Sequence, residues 1–292
     1  MSPEPLRILA IGAHPPDIIA RAGGTLAKHA RRGDIVMAAA LTDGVRHMNS
    51  LLAEHRVVGP AAIAAVAQQK RAEMQAAAQA LGIQHVRFLG LRESPLVPHL
   101  EALHAVTDLI REFRPDVIFC HHPQETILSG HPDHGPAGEL ALSAYMLAME
   151  LGFESRLPPW VVNNVYLFDS NSQDMEGPGL GHLPRATVYV DITEVIEAKR
   201  QALLALGPAM GYTPDSVAAL MAQLKGREGL TGVDYAEGFC DLHTPVLDYV
   251  ERRRKGRWVS VKQPTDYEHL TLWPAPDAGR RNIQEENSDE SQ

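Results

Sequence analysis

Cysteine is scarce: the 292 residues include two, Cys120 and Cys240. A disulfide framework is therefore excluded as an organising principle, and the two thiols are expected free in a reducing, cytoplasmic setting. Long apolar runs are missing too. No stretch reaches the roughly 18 residues a spanning helix needs, so no membrane partner is expected. A long basic block is also absent, and the formal net charge is -9. Nucleic acid is thus not an expected partner, because phosphate binding requires clustered Lys and Arg. There is no internal repeat. Residues 1–7 lead straight into a strand and lack the features of a signal peptide. Gly23-Gly24 is not a phosphate loop, since the spacing of a dinucleotide fingerprint is missing.

What is present is ordinary globular composition, 45% hydrophobic and 22% charged, in a chain long enough for a large core. One domain is expected over residues 1–275. The polar, acidic residues 276–292 read as a disordered tail. Arg7 to Ala13 is a continuous apolar run, as a strand buried on both faces should be. Gly23-Gly24 is expected to open a helix, Thr25 to Arg32, closed by Gly33, and Asp34 to Leu41 is the next strand. This strand–helix–strand rhythm marks a βαβ unit. Ala61 to Leu81 is a strong helix, and Leu100 to Phe113 another. His85–Leu89, Val117–Cys120, Asn164–Asp169 and Thr187–Asp191 are further strands, and Ser170 to Pro184 reads as a mobile loop. The fold class is α/β, a Rossmann-like, mostly parallel sheet with helices on both faces.

Fourteen histidines is a high count, so position must decide which matter. Two polar clusters stand just past the carboxyl ends of strands, where open α/β sheets place their ligands. The first is His14-Pro15-Pro16-Asp17, read as a proline-stiffened turn that aims a histidine and a carboxylate at one point. The second is His131-Pro132-Asp133-His134. Zinc favours imidazole nitrogen and carboxylate oxygen, and catalytic sites use three protein ligands with one open position. His14, Asp17 and His134 form such a set, with Asp133 suited to orient a histidine. One divalent ion is expected, with zinc favoured.

The chain resembles the PIG-L/LmbE superfamily of zinc-dependent N-deacetylases and related hydrolases. The resemblance rests on Ala13-His14-Pro15-Pro16-Asp17, Ala22-Gly23-Gly24-Thr25, Thr42-Asp43-Gly44, Arg114-Pro115-Asp116-Val117, His131-Pro132-Asp133-His134, Val190-Asp191-Ile192-Thr193 and Tyr235-Ala236-Glu237-Gly238-Phe239. It implies a metal held by His14, Asp17 and His134 at the strand ends, with His131 as general acid or transition-state stabiliser. The pattern it follows is Ala-His-Pro-Asp-Asp-Glu, whose first aspartate serves as base. Here that position is Pro16, the glutamate position is Ile18, and Val45 replaces a further carboxylate. The 4-oxalomesaconate hydratase branch shares the missing aspartate and carries an Arg-Ala-Gly-Gly segment, as Arg21-Ala22-Gly23-Gly24 does. That branch depends, however, on a glutamate where Val45 stands, and it lacks the histidine that His131 supplies.

The resemblance therefore implies an N-acyl hydrolase of a small polar substrate, with a hydratase as the alternative and a catalytically silent metal-binding protein as the second. Arg46, His47, Arg71, Glu93 and His122 are the candidates for substrate contact. Arg46 could pair a carboxylate, the family places an arginine near Arg71, Glu93 could replace the lost carboxylate, and one of His121-His122 could face the pocket. A small molecule is the expected substrate, and a homo-oligomer is left open.

Overall fold

Ile8, Leu9, Ala10 and Ile11 are all buried, and they divide between two apolar clusters. Ile8 and Ala10 pack with Ile18, Leu26 and Met74, whereas Leu9 and Ile11 pack with Leu109, Ile110 and Leu140. The clusters are the two faces of one sheet, which is why the strand reads as an uninterrupted apolar run. The computed structural model describes residues 4–46, 48–55, 58–125, 131–169, 186–207, 211–226 and 231–243.

In chain order these form β1 (Arg7–Gly12), α1 (Pro15–Arg32), β2 (Ile35–Ala40), α2 (Asn49–Ala53), α3 (Pro60–Ala80), β3 (His85–Phe88), α4 (Leu100–Phe113), β4 (Val117–Cys120), α5 (His134–Ala148), β5 (Asn164–Phe168), β6 (Val188–Asp191), α6 (Ile196–Ala205), α7 (Pro214–Gly226) and β7 (Ala236–Asp241). The sheet order is β3-β2-β1-β4-β5-β7-β6. The first five strands are parallel, and β7 runs antiparallel to both β5 and β6. Helices α1, α3 and α6 cover one face, and α4 and α5 the other. This is the expected mostly parallel α/β sheet. The chain winds outward from β1 through β2 to β3, then returns to β4 on β1's other side. The switch point therefore lies at the carboxyl ends of β1 and β4, where such sheets leave a crevice.

Two elements differ from the sequence reading. The first helix begins at Pro15, not at Gly23-Gly24. Prolines are tolerated at the first helical positions because the amide they lack would be unpaired there anyway. Gly23 and Gly24 instead lie within α1, where a Cβ on Gly24 would stand 2.8 Å from Ile192. Glycine is what lets the helix close on that residue. The second difference is β7, built from the late Tyr235–Phe239 motif. Its Glu237 is wholly buried, forms an ion pair with Lys199, and accepts the backbone N–H of Gly24 at 2.8 Å and of Thr25 at 2.7 Å. Lys199 also donates to the Ala20 carbonyl at 2.7 Å. The pair thus clamps one turn of α1 to the sheet.

Both cysteines are buried and they are not bridged to each other. Among the described residues no helix is long and apolar enough to cross a membrane. The Ser170–Pro184 loop and the 276–292 tail lie outside the described residues.

Candidate metal centre

The first cluster is the opening turn of α1, not a free-standing proline turn. His14 occupies the N-cap position in extended backbone, and Asp17 is the third helical residue. The Asp17 carboxylate accepts the backbone N–H of His14 at 2.7 Å, half of a capping box, and lies 3.3 Å from His14 Nδ1. Helix geometry therefore fixes the spacing between the two groups. Gly44, at φ +67°, brings the Thr42-Asp43-Gly44 turn against this end, and a Cβ there would stand 3.1 Å from His14 Cβ.

The second cluster is another helix start. Asp133 is the N-cap residue of α5 and His134 its first helical residue, yet the Asp133 side chain makes no cap bond. It turns away and accepts the backbone N–H groups of Leu96 at 2.7 Å and Ser94 at 3.2 Å. Its Oδ2 also lies 3.2 Å from His14 Nε2. The carboxylate proposed to orient a histidine thus touches His14. His131 is half-buried, with its ring 4.5 Å from those of both His14 and His134. Its Nδ1 accepts the Asp133 backbone N–H at 3.3 Å.

Of two further members, Glu125 was not singled out from sequence, and His121 was weighed only as one of the His121-His122 pair. His121, the residue after β4, is fully buried, and its Nε2 lies 3.1 Å from Asp17 Oδ2. Its Nδ1 lies 2.7 Å from Glu125, also fully buried. Glu125 accepts from Arg21 at 2.8 Å and approaches His134 Nδ1 at 3.2 Å. His122, the member named for substrate contact, makes a bond within its own loop, where its Nδ1 accepts the backbone N–H of Gln124. The alternation of β4 contains the missing signal. Val117 and Phe119 face the α1 side while Ile118 and Cys120 face the other, so a period of two carries His121 onto the face of Asp17.

The charges are tightly coupled. Burial pulls the His14 imidazole down, but the Asp17 charge and the bonds to Asp133 and Asp17 outweigh it and lift it to about 9. His134 is lifted to about 10 against the same burial effect, by Asp17 and then Glu125. Burial would raise the carboxyls. Instead His134, His14 and His121 hold Asp17 well below the usual range, and His121, His134 and Arg21 do the same for Glu125. Asp133 is held at about 2, against burial, by His14 and the Leu96 and Ser94 amides.

The remaining expected site residues scatter. Glu93 is buried and accepts the backbone N–H of Val45 at 2.6 Å and of Arg46 at 2.9 Å, with Oε2 3.8 Å from His14 Nε2. It anchors the loop after β2 beside the cluster. Arg71 is exposed and makes a bidentate pair with Asp43 at 2.7 and 2.9 Å. Arg46 and Arg71 line a cavity of about 620 Å³ that includes none of the clustered histidines. His47 lies outside the described residues. A smaller cavity, about 350 Å³, is lined by Asp17, Arg21, His134, Asp169 and Tyr212. It reaches the cluster through Asp17 and His134.

The donors suit a divalent ion. Among the described residues, the ligand atoms of His14, His131 and His134 lie within 4.8 Å of one another, as do those of Asp17, His121 and His134. Asp17 bridges these two groups through different oxygens, Oδ2 3.3 Å from His14 Nδ1 and Oδ1 3.6 Å from His134 Nε2. Imidazoles lifted to about 9 and 10 mark a pocket that holds positive charge at neutral pH, a charge that a metal can supply in place of protons.

The model of the family described as PIG-L: GlcNAc-PI de-N-acetylase matches residues 9–145, a span that contains every residue of this cluster. The chain is 29% identical to a 1D-myo-inositol 2-acetamido-2-deoxy-alpha-D-glucopyranoside deacetylase of Rhodococcus erythropolis, covering 73% of this chain and 84% of that one. It is 27% identical to a 4-oxalmesaconate hydratase of Pseudomonas putida, over 82% and 90%. Among solved structures, a conserved protein of Thermus thermophilus superposes with TM-score 0.66 at 26% identity, over 85% of this chain and 99% of that chain. The PIG-L/LmbE resemblance read from the motifs is borne out.

Proposed function

From the PIG-L match over residues 9–145, we propose that this chain is a zinc-dependent N-acyl hydrolase of deacetylase type, acting on a small polar substrate. The observation that carries the reading is the meeting of His14, Asp17 and His134 at the sheet's switch point, with the half-buried His131 ring 4.5 Å from that of His134. Zinc held by His14, Asp17 and His134 would supply Lewis acidity, bringing the pKa of water to about 7 and polarising a carbonyl.

The chain's own groups do the rest. His131 Nδ1 accepts the Asp133 amide, so the proton of the neutral ring sits on Nε2. That N–H can donate to the oxyanion that forms as water adds to an acyl carbon. Asp133 holds the far nitrogen of His14. Arg21, fixed by Glu125 and by the Asp169 carbonyl at 3.1 Å, stands at the smaller cavity and presents positive charge to a polar substrate. The two buried, unbridged cysteines support a reducing, cytoplasmic setting.

A hydratase of the 4-oxalomesaconate type is the second reading. Pro16, buried, stands where the deacetylase pattern has its base, an absence the hydratase branch shares, and a relative carries the hydratase name. A catalytically silent metal-binding protein is the third. Zinc-loaded protein should be assayed against an N-acetylated amino sugar and against 4-oxalomesaconate. Acetate release with the first and no conversion of the second supports the hydrolase, and the reverse result supports the hydratase. Stoichiometric zinc with neither activity supports the silent protein. His131→Ala should lower acetate release, and an unchanged rate would remove His131 from its role.

A further inference from the structure

Glu125 treats two imidazoles alike. Its Oε2 faces His121 Nδ1 at 2.7 Å and its Oε1 faces His134 Nδ1 at 3.2 Å. The opposite nitrogens of both rings face the carboxylate of Asp17, His121 Nε2 at 3.1 Å from Oδ2 and His134 Nε2 at 3.6 Å from Oδ1. The rings themselves stack at 4.5 Å, with 25° between their planes. A carboxylate behind Nδ1 fixes the tautomer that leaves a lone pair on Nε2, and this is how metal-binding histidines are oriented. One ligand atom from each of Asp17, His121 and His134 lies within 4.8 Å of the other two, a spacing that one cation can bridge.

We infer that His121 is a metal ligand of this chain, adding a third imidazole to His14, Asp17 and His134, and that Glu125 is the shared positioning residue for His121 and His134. The inference rests on the metal-site reading above and extends it, because neither the motifs nor that reading assigns a role to His121. Its surroundings fit a ligand. The ring is wholly buried, closed at one edge by Phe168 at 5.3 Å, and its two nitrogens meet only the two carboxylates among the polar contacts described. Glu125 is equally buried and neutralised on its outer side by Arg21.

The test counts imidazoles. X-ray absorption fine structure of the zinc-loaded wild-type protein should give three histidine ligands, and His121→Gln should give two. Gln keeps an N–H for Asp17, so it separates coordination from simple orientation. Zinc affinity, measured by chelator competition, should fall at least about 100-fold in His121→Gln and about 10–100-fold in Glu125→Gln, the range for loss of a supporting carboxylate. Two imidazoles in wild type, or an unchanged count and affinity in His121→Gln, overturns the inference and leaves the reading above standing. A wild-type protein that takes up no zinc overturns both. The wild-type count decides the matter if His121→Gln does not fold.

Discussion

Asp133 Oδ2 lies 3.2 Å from His14 Nε2, joining two helix starts that are 119 residues apart in sequence. The contact makes Asp133 more than a cap that failed to form. It accepts from Ser94, Leu96 and His14 at once, and so spans the loop after β3, the start of α1 and the start of α5. Asp133→Asn keeps the shape but removes the charge and sets an amide N–H against one of those donors. Zinc affinity is expected to fall about 10–100-fold, as for loss of other outer partners of ligating histidines. Chelator competition measures it. An affinity equal to wild type would mean that Asp133 serves the fold alone. Stripping zinc from wild type with a chelator should also lower its melting temperature, since a ligand bound only by the native state stabilises it.

Lys199 and Glu237 give a prediction about stability rather than chemistry. Both are fully buried, and together they meet the Ala20 carbonyl and the Gly24 and Thr25 amides. Removing one partner leaves the other charged and unpaired in the core, which costs about 3–5 kcal/mol. Lys199→Met and Glu237→Met should each lower the free energy of unfolding, measured by denaturant titration, by that amount. Combining Lys199→Met with Glu237→Met should cost less than the sum of the two single changes. Strict additivity in this double-mutant cycle would show that the pair is not coupled.

Much of this was legible from residue order. β1 reads correctly because a strand buried on both faces has no polar alternation to misplace. His14, Asp17, Asp133 and His134 could be found because they stand at strand ends, where the topology collects ligands. The start of α1 was obscured by Pro15 and Pro16, which signal a break in mid-helix but not in a first turn. Glu125 was not legible because nothing local distinguishes it. Its role comes from Arg21 and His134, brought to it by the sheet. β7 was hidden by Glu237, which fits a central strand only once Lys199 is folded against it.

Asp34 offers a pH-dependent handle away from the site. Its carboxylate accepts the Leu6 backbone N–H at 2.9 Å and bonds with His29 at 2.6 Å and Arg32 at 2.9 Å, so it pins the start of β1 to the α1–β2 turn. Burial would raise its pKa, but His29, Leu6 and Arg32 hold it below the usual aspartate value. A depressed folded pKa adds stability that is fully present above the unfolded pKa, about 3.9, and is lost as pH falls through the folded value. Asp34→Asn should therefore cost about 1–3 kcal/mol at pH 7, the scale of charge-assisted hydrogen bonds. The gap from wild type should narrow below about pH 4. Urea titrations at several pH values measure it, and a gap that widens on acidification would contradict the assigned sign.

Pro16 is where the hydrolase and hydratase readings part. It is the second residue of α1, buried in the turn that sets His14 and Asp17. An aspartate is well tolerated in the first turn of a helix, where it complements the dipole, and the backbone amide it restores would be unpaired in any helix at that position. Pro16→Asp would return a titratable group to the place where the Ala-His-Pro-Asp-Asp-Glu pattern puts its base, without touching any proposed ligand. General-base assistance is worth about 10²- to 10⁴-fold. If the site is a hydrolase slowed by loss of that group, kcat/KM for acetate release from an N-acetylated amino sugar should rise by at least about 100-fold, with zinc content unchanged. A hydratase gains nothing in that assay, because its substrate carries no acyl–nitrogen bond to break. Acetate release no faster than wild type, in a Pro16→Asp protein that binds zinc and melts normally, would remove the main support for the hydrolase reading.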